Sequence, residues 1–172
     1  MQWQWIQALY DPDAVRHHAA ASAGEEGLVI PLEVFEQVFH DHHDDAEFGT
    51  RVRDVDWTPI TWGATTMTGA QLRQVGVPRQ YQFAVDEARI LTIEEGPQDD
   101  RPEVVDHWRD AGTWRVPPVL IAGPVLGRSD GDELLVGFTR LGNLFGLIDR
   151  GDVPGLAKHL VWLGRRDAGQ PS

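Results

Sequence analysis

The sequence predicts an α/β (α+β) fold, a small mixed sheet with packed helices, in a single domain spanning residues 1–172. Three observations predict it. The length of 172 residues suits one domain with at most an appendage, since domains typically run to about 100–150 residues. Hydrophobic residues at 41 %, charged residues at 24 %, seven Trp and six Phe supply a core to bury. Segments of helical and of strand periodicity then alternate through the C-terminal third, as they do where helices lie on a sheet.

Trp3-Gln4-Trp5-Ile6 alternates weakly and predicts a short strand, and Ala14 to Ala23 is a helical stretch closed by Gly24. Leu28-Val29-Ile30-Pro31 leads into Leu32, Phe35, Val38 and Phe39, an apolar face at helical spacing whose entry proline sits where a first turn tolerates it. This helix is expected to run out in His40-Asp41-His42-His43-Asp44-Asp45 and to stop at Gly49. From Val52 to Ile93, strand-like pieces (Val52 to Trp57, Tyr81 to Val85, Ile90 to Ile93) alternate with loops at Gly63, Thr68-Gly69 and Gly76 to Pro78. Glu94 to Asp100 reads as an exposed acidic loop that closes an N-terminal part over residues 1–100.

Residues 101–164 are more regular. Pro102 begins a helix through Trp108, ended by Gly112. Val119-Leu120-Ile121-Ala122 reads as a buried strand, Arg128 to Asp132 turns the chain, and Leu134-Leu135-Val136 returns as a second strand. Leu141, Leu144, Phe145 and Ile148 then mark a helix with Thr139 as its expected N-cap. His159 to Leu163 reads as a closing strand, so the order is helix, strand, strand, helix, strand, followed by a flexible tail over 165–172.

Charge and composition exclude several classes of function. Fifteen Lys+Arg against 27 Asp+Glu give a formal charge of -12. Such a surface repels phosphate backbones, so no nucleic acid is expected as a partner, and basic proteins are attracted. The lack of Cys excludes disulfides, thiolate metal sites and cysteine nucleophiles, and it suits a reducing cytoplasm. No basic segment precedes an apolar stretch at the N-terminus, and the longest apolar run, around Val116 to Leu126, is broken by prolines. It is far short of the about 20 residues a membrane span requires, so no membrane partner is expected.

The chemistry-bearing pattern is Gly137-Phe138-Thr139-Arg140, where a strand ends in glycine and a helix opens with a hydroxyl and a guanidinium. A helix N-terminus offers unpaired N–H groups and partial positive charge, which suit a phosphate. The competing structural reading has Thr139 capping the helix and Arg140 paired with a surface carboxylate.

Arg115 to Asp149, with Pro117-Pro118-Val119-Leu120-Ile121 followed about twenty residues later by Leu135-Val136-Gly137-Phe138-Thr139-Arg140-Leu141, resembles the core of the ParB/sulfiredoxin-like superfamily. That superfamily carries a G-x-x-R box at a helix start, and His107 to Gly112 is similar to its usual lead-in. The resemblance covers residues 101 to 164. It implies a nucleotide or other phosphorylated ligand at Gly137, Phe138, Thr139 and Arg140, with kinase-like activity as an extension; against a charge of -12 the affinity is expected to be modest without Mg²⁺ on the nucleotide or a basic rim formed with Arg109, Arg115 or Lys158. Phe138 stands where sulfiredoxin has its catalytic Cys and the related free-serine kinases a His, which excludes sulfinic-acid repair and weighs against phosphoryl transfer. Thr139 replaces the second Arg of ParB, and no helix-turn-helix segment is present.

His40 to Asp45 contains His-x-His-x-Asp, a pattern seen in dinuclear metallohydrolases. At a helix end, histidines are favourable for dipole reasons alone, so the run is read as a solvated terminus and no metal is assigned. His17-His18 reads as surface, and Trp57, Trp62, Trp108, Trp114 and Trp162 as mostly core. A second functional reading rests on charge: an acidic binding or immunity protein that neutralises a basic toxin or nuclease without catalysis.

Overall fold

The computed structural model describes residues 3–24, 29–128 and 131–166. Among them are eight α-helices and a four-stranded mixed sheet, so the α/β class holds. The N-terminal segment is helical where its alternation predicts a strand. α1 (Trp3–Ala8) buries Trp3 and Ile6, one helical turn apart; a four-residue window fits both periods, and burial of the i, i+3 pair selects the helix.

α2 (Ala14–Gly24) follows, its first N–H groups accepted by the Asp13 carboxylate. α3 (Leu32–Phe35) widens into a π-helical turn, Glu36–His40, in which Asp41 N–H donates to Glu36 O at 2.9 Å. The helix ends there, before Gly49. Asp45 caps a new helix, α4 (Ala46–Val52), by accepting from the N–H groups of Glu47 and Phe48 at 2.9 Å. Gly49 lies inside α4, where a Cβ would come within 2.6 Å of Trp3 Nε1; this glycine makes room for an indole and terminates nothing.

The strand expected over Val52 to Trp57 is instead the end of α4 and a turn. β1 (Ile60–Thr68) follows, with Gly63 inside it and not in a loop. α5 (Gly69–Leu72) opens with a capping box in which Thr68 and Gln71 satisfy each other's backbone N–H. Both remaining strand expectations, Tyr81 to Val85 and Ile90 to Ile93, fall within one helix, α6 (Arg79–Glu95). Glu94 and Glu95 finish that helix, and Gly96 and Pro97 beyond it are buried, so the expected acidic loop is shorter and partly covered.

The C-terminal third follows its predicted order: α7 (Pro102–Ala111), β2 (Val119–Ala122), a 3-10 turn, β3 (Asp132–Val136), α8 (Phe138–Arg150) and β4 (Lys158–Arg166). β4 takes Arg165 and Arg166 from the expected tail, whose residues 167–172 lie outside the described ones. Gly112 at φ 62° ends α7 in the left-handed conformation that favours glycine.

The strand order is β1-β4-β2-β3, so β1 and β3 are the edges. Beyond β3, Gly76 N–H donates to Asp132 O at 2.8 Å and Leu134 N–H to Gly76 O at 2.9 Å, which covers part of that edge. β1 carries no charged residue, and residues 63–66 are exposed in succession, on both faces of the strand.

The chain gathers into two compact units, Met1–Gly63 with Ile121–Asp130 and Leu163–Ser172, and Ala64–Leu120 with Gly131–Trp162. The first is built on rings: Trp3 with Phe48 at 5.2 Å, Phe35 with Phe39 at 5.4 Å, and Phe39 edge-on to Trp57 at 4.9 Å. In the second, α6 and α8 cross at short range. A Cβ on Gly142 would lie 2.4 Å from Val85 O and 2.7 Å from Ala88 Cβ; one on Gly146 would lie 2.5 Å from Thr92 Cβ. Only glycine allows that approach.

Candidate functional site

β3 delivers the chain to Gly137, which adopts φ 100° and ψ 30° before α8 begins at Phe138. The strand-to-helix junction expected over Gly137 to Leu141 is therefore present. Glycine is required twice over: positive φ favours it, and a Cβ would meet Pro118 Cβ at 2.7 Å. Gly137, and not Thr139, is the N-cap. Its carbonyl accepts from Leu141 N–H at 2.9 Å, but it brings no side-chain cap to the turn.

Thr139 is exposed in the first turn, two residues past the cap. Phe138, the residue before it, stacks on Tyr81 with ring centroids 4.3 Å apart and planes within 15°. Arg140 is half-buried, and Nη1 donates to Val116 O at 2.7 Å and to Pro117 O at 3.5 Å. Backbone carbonyls thus hold the guanidinium beside the opening turn. Arg115, adjacent to Val116, is exposed and forms no ion pair among the described residues, whereas Arg109 pairs with Asp106 at 3.2 Å.

Tyr81 and Phe138 supply the stacked ring pair beside the junction. Trp57, Trp108 and Trp114 are at most 4 % exposed, and Trp114 Nε1 donates to Leu160 O at 2.6 Å. Sequence reasoning missed two side chains that join α8 to α6. Tyr81 belongs to a segment read as a strand. Asn143, buried in α8, accepts from Thr92 Oγ1 at 2.9 Å and Gln98 N–H at 3.1 Å, and donates to Gln98 O at 2.8 Å. Its partners lie forty-five or more residues away, so no local pattern announces them; the Gly-x-x-x-Gly spacing of 142 and 146 around it was the available sign of a close helix crossing.

At the opposite end of α8, a cleft of about 260 Å³ is lined by Trp108, Arg109, Leu147, Arg150 and neighbouring residues. Arg150 is already engaged there, with Thr92 O at 3.0 Å and Asp152 at 2.9 Å.

The histidines of the other unit are more ordered than a solvated helix end. His17 is fully buried, contrary to its surface reading, with Nε2 3.0 Å from Ile6 O and Nδ1 3.5 Å from His40 Nδ1. Burial pushes its imidazole below the ordinary range. Tyr10 stacks on His43 at 3.6 Å, while His42 turns to Asp45 at 3.3 Å. Burial tends to raise the Asp45 carboxyl, but the N–H groups of Phe48 and Glu47 and the His42 ring hold it below the usual carboxylate range. His40 and His42 thus face different partners. Among the described residues no group of three or more His, Asp or Glu side chains converges as a metal site, and no helix is long and apolar enough to cross a membrane.

Compared with protein-family models, with curated proteins and with solved structures, the chain finds no significant match.

Proposed function

We propose that the protein binds a nucleotide, or another phosphorylated small molecule, at the opening turn of α8, in the cytoplasm and in the manner implied by its resemblance to the ParB/sulfiredoxin-like superfamily. The observation that carries this reading is that Gly137 leaves the turn without a side-chain cap. The first-turn N–H groups of an α-helix have no intrahelical acceptor, and the helix dipole places partial positive charge there. A phosphate can accept from them, with the exposed Thr139 hydroxyl as a further donor. Arg140 adds positive charge beside the turn, and the Tyr81–Phe138 stack offers an apolar wall for a base or sugar.

Phe138 can neither attack a phosphorus nor move a proton, so this reading is of binding before phosphoryl transfer. Because the chain carries a charge of -12, Mg²⁺ on the nucleotide lowers the repulsion an incoming phosphate meets. The alternative reading, an acidic binding or immunity protein that neutralises a basic toxin or nuclease, is favoured by a separate observation on α6 developed below.

Calorimetric titration with ATP, ADP, CTP and GTP, each with Mg²⁺, tests the proposal. Thr139→Glu places a carboxylate at the turn without disturbing the carbonyl contacts of Arg140. It is expected to weaken binding at least about tenfold, and Arg140→Ala about ten- to hundredfold. Absence of binding to the wild type at millimolar nucleotide refutes the reading.

A further inference from the structure

We propose that the outer face of α6 is a docking surface for a basic amphipathic helix of a partner protein. α6 is two-faced, with the larger apolar side chains on the wrong side for a core. Its inner face, Val85, Ala88 and Thr92, is buried. Its outer face presents Phe83 at 71 %, Ile90 at 55 % and Ile93 at 42 % exposed. Phe83 and Ile90 are seven residues apart, two turns along one stripe and about 10 Å of axial distance.

The surround of this stripe selects the partner. Asp86, Glu87 and Glu94 are exposed at helical spacings that flank Phe83 and Ile90. None of them forms an ion pair among the described residues; Asp86 accepts only from Gln82 Nε2 at 3.0 Å. Of the two cations within α6, Arg89 is turned away to Asp149 and Arg79 stands at the N-terminal end of the helix. Apolar anchors inside a rim of carboxylates that no cation neutralises form the pattern of a protein interface, and the rim matches lysine and arginine. A helix with apolar residues at i, i+3 or i+4 and i+7 and basic residues beside them meets both features. A second copy would set carboxylate against carboxylate, and an anionic membrane or nucleic acid would be repelled.

The proposal does not depend on nucleotide binding. Its test uses a fluorescein-labelled helical peptide of leucine and lysine in amphipathic order, its counterpart with glutamate for lysine, and fluorescence anisotropy at two salt concentrations. The lysine peptide is expected to bind and the glutamate peptide not to bind. Phe83→Ser/Ile90→Ser and Asp86→Asn/Glu87→Gln/Glu94→Gln should each weaken binding at least about tenfold, the second also flattening the salt dependence. Asp41→Asn/Glu103→Gln/Asp110→Asn, which removes as many exposed charges elsewhere, should leave binding unchanged, as should Arg140→Ala. The side chains changed on α6 and in the control triple variant are exposed, so circular dichroism of these variants should match the wild type. No binding at about 100 µM peptide, equal weakening by the control triple variant, or a concentration-dependent dimer that Phe83→Ser/Ile90→Ser dissolves would each overturn the proposal, the last by naming a second copy as the occupant.

Discussion

Where α6 crosses α8, two backbones meet because side chains are absent; around α1, α3 and α4, segments are kept apart and joined through rings. At the crossing, positions 142 and 146 have no Cβ, and their opposite numbers Ala88 and Thr92 are small. Around the N-terminal helices, Trp3, Phe35, Phe39, Phe48 and Trp57 fill the space with aromatic volume. The two constructions respond oppositely to mutation. A ring cluster fails when volume is removed, because the cavity cannot fully collapse, whereas a glycine crossing fails when a single methyl is added, because backbone atoms cannot step aside.

The largest expected effect is therefore a deletion in the ring cluster. Phe39→Ala, at a fully buried position, should cost about 3–5 kcal/mol in denaturant unfolding, and Phe39→Leu less than half of that. Smaller but opposite in sense, Gly142→Ala should cost about 1–3 kcal/mol, since its methyl faces Val85 O and Arg89 N of the α6 backbone. Gly146→Ala meets the Thr92 side chain as well as Arg89 O, and pairing it with Thr92→Ser should not restore stability fully. If Gly142→Ala were neutral while Phe39→Ala was severe, the crossing would be looser than the distances say.

The smallest effect is a pH slope. Burial pushes His17 down, with His40 and His43 adding to it and Ile6 O opposing, and burial acts likewise on His159. In the unfolded chain both imidazoles take up a proton near pH 6.5. The folded chain resists it, so their contribution to stability is complete above that pH and is lost as pH falls below it. The melting temperature should decline on acidification from pH 7.5 to about 5.5, and His17→Phe should flatten the decline. A slope unchanged in that variant would show that His17 titrates freely.

The contrast also explains what was legible in the sequence. β2, β3 and α8 announce themselves because their large apolar residues point inward, and β4 does so through Val161 and Leu163, so periodicity reports burial. α6 breaks that rule. Its buried residues are small to suit Gly142 and Gly146, and its large ones, Phe83 and Ile90, point outward. Tyr, Phe, Val and Ile in short runs then imitate strands. The Gly137–Arg140 box was found because a change of period marks it. The identity of its cap was not, since Thr139 is a competent cap by type and only the left-handed φ of Gly137 moves the boundary two residues earlier. Tyr81 and Asn143 act through distant partners, which no local window contains.

The uncharged edge strand has a consequence for the behaviour of the protein as a colloid. Ile60 to Thr68 offers nine residues without a charge or a proline at an outer edge of the sheet, and such an edge leaves peptide groups available to template another strand. The repulsion that opposes such pairing at neutral pH is general, the formal charge of -12 shared by every copy. That guard is collective and not local. It vanishes as a solution approaches the isoelectric point near 4.8 and is screened over about 8 Å at physiological ionic strength. Resistance to pairing at this edge thus depends on the medium, and Ile60–Thr68 carries no charged gatekeeper of its own.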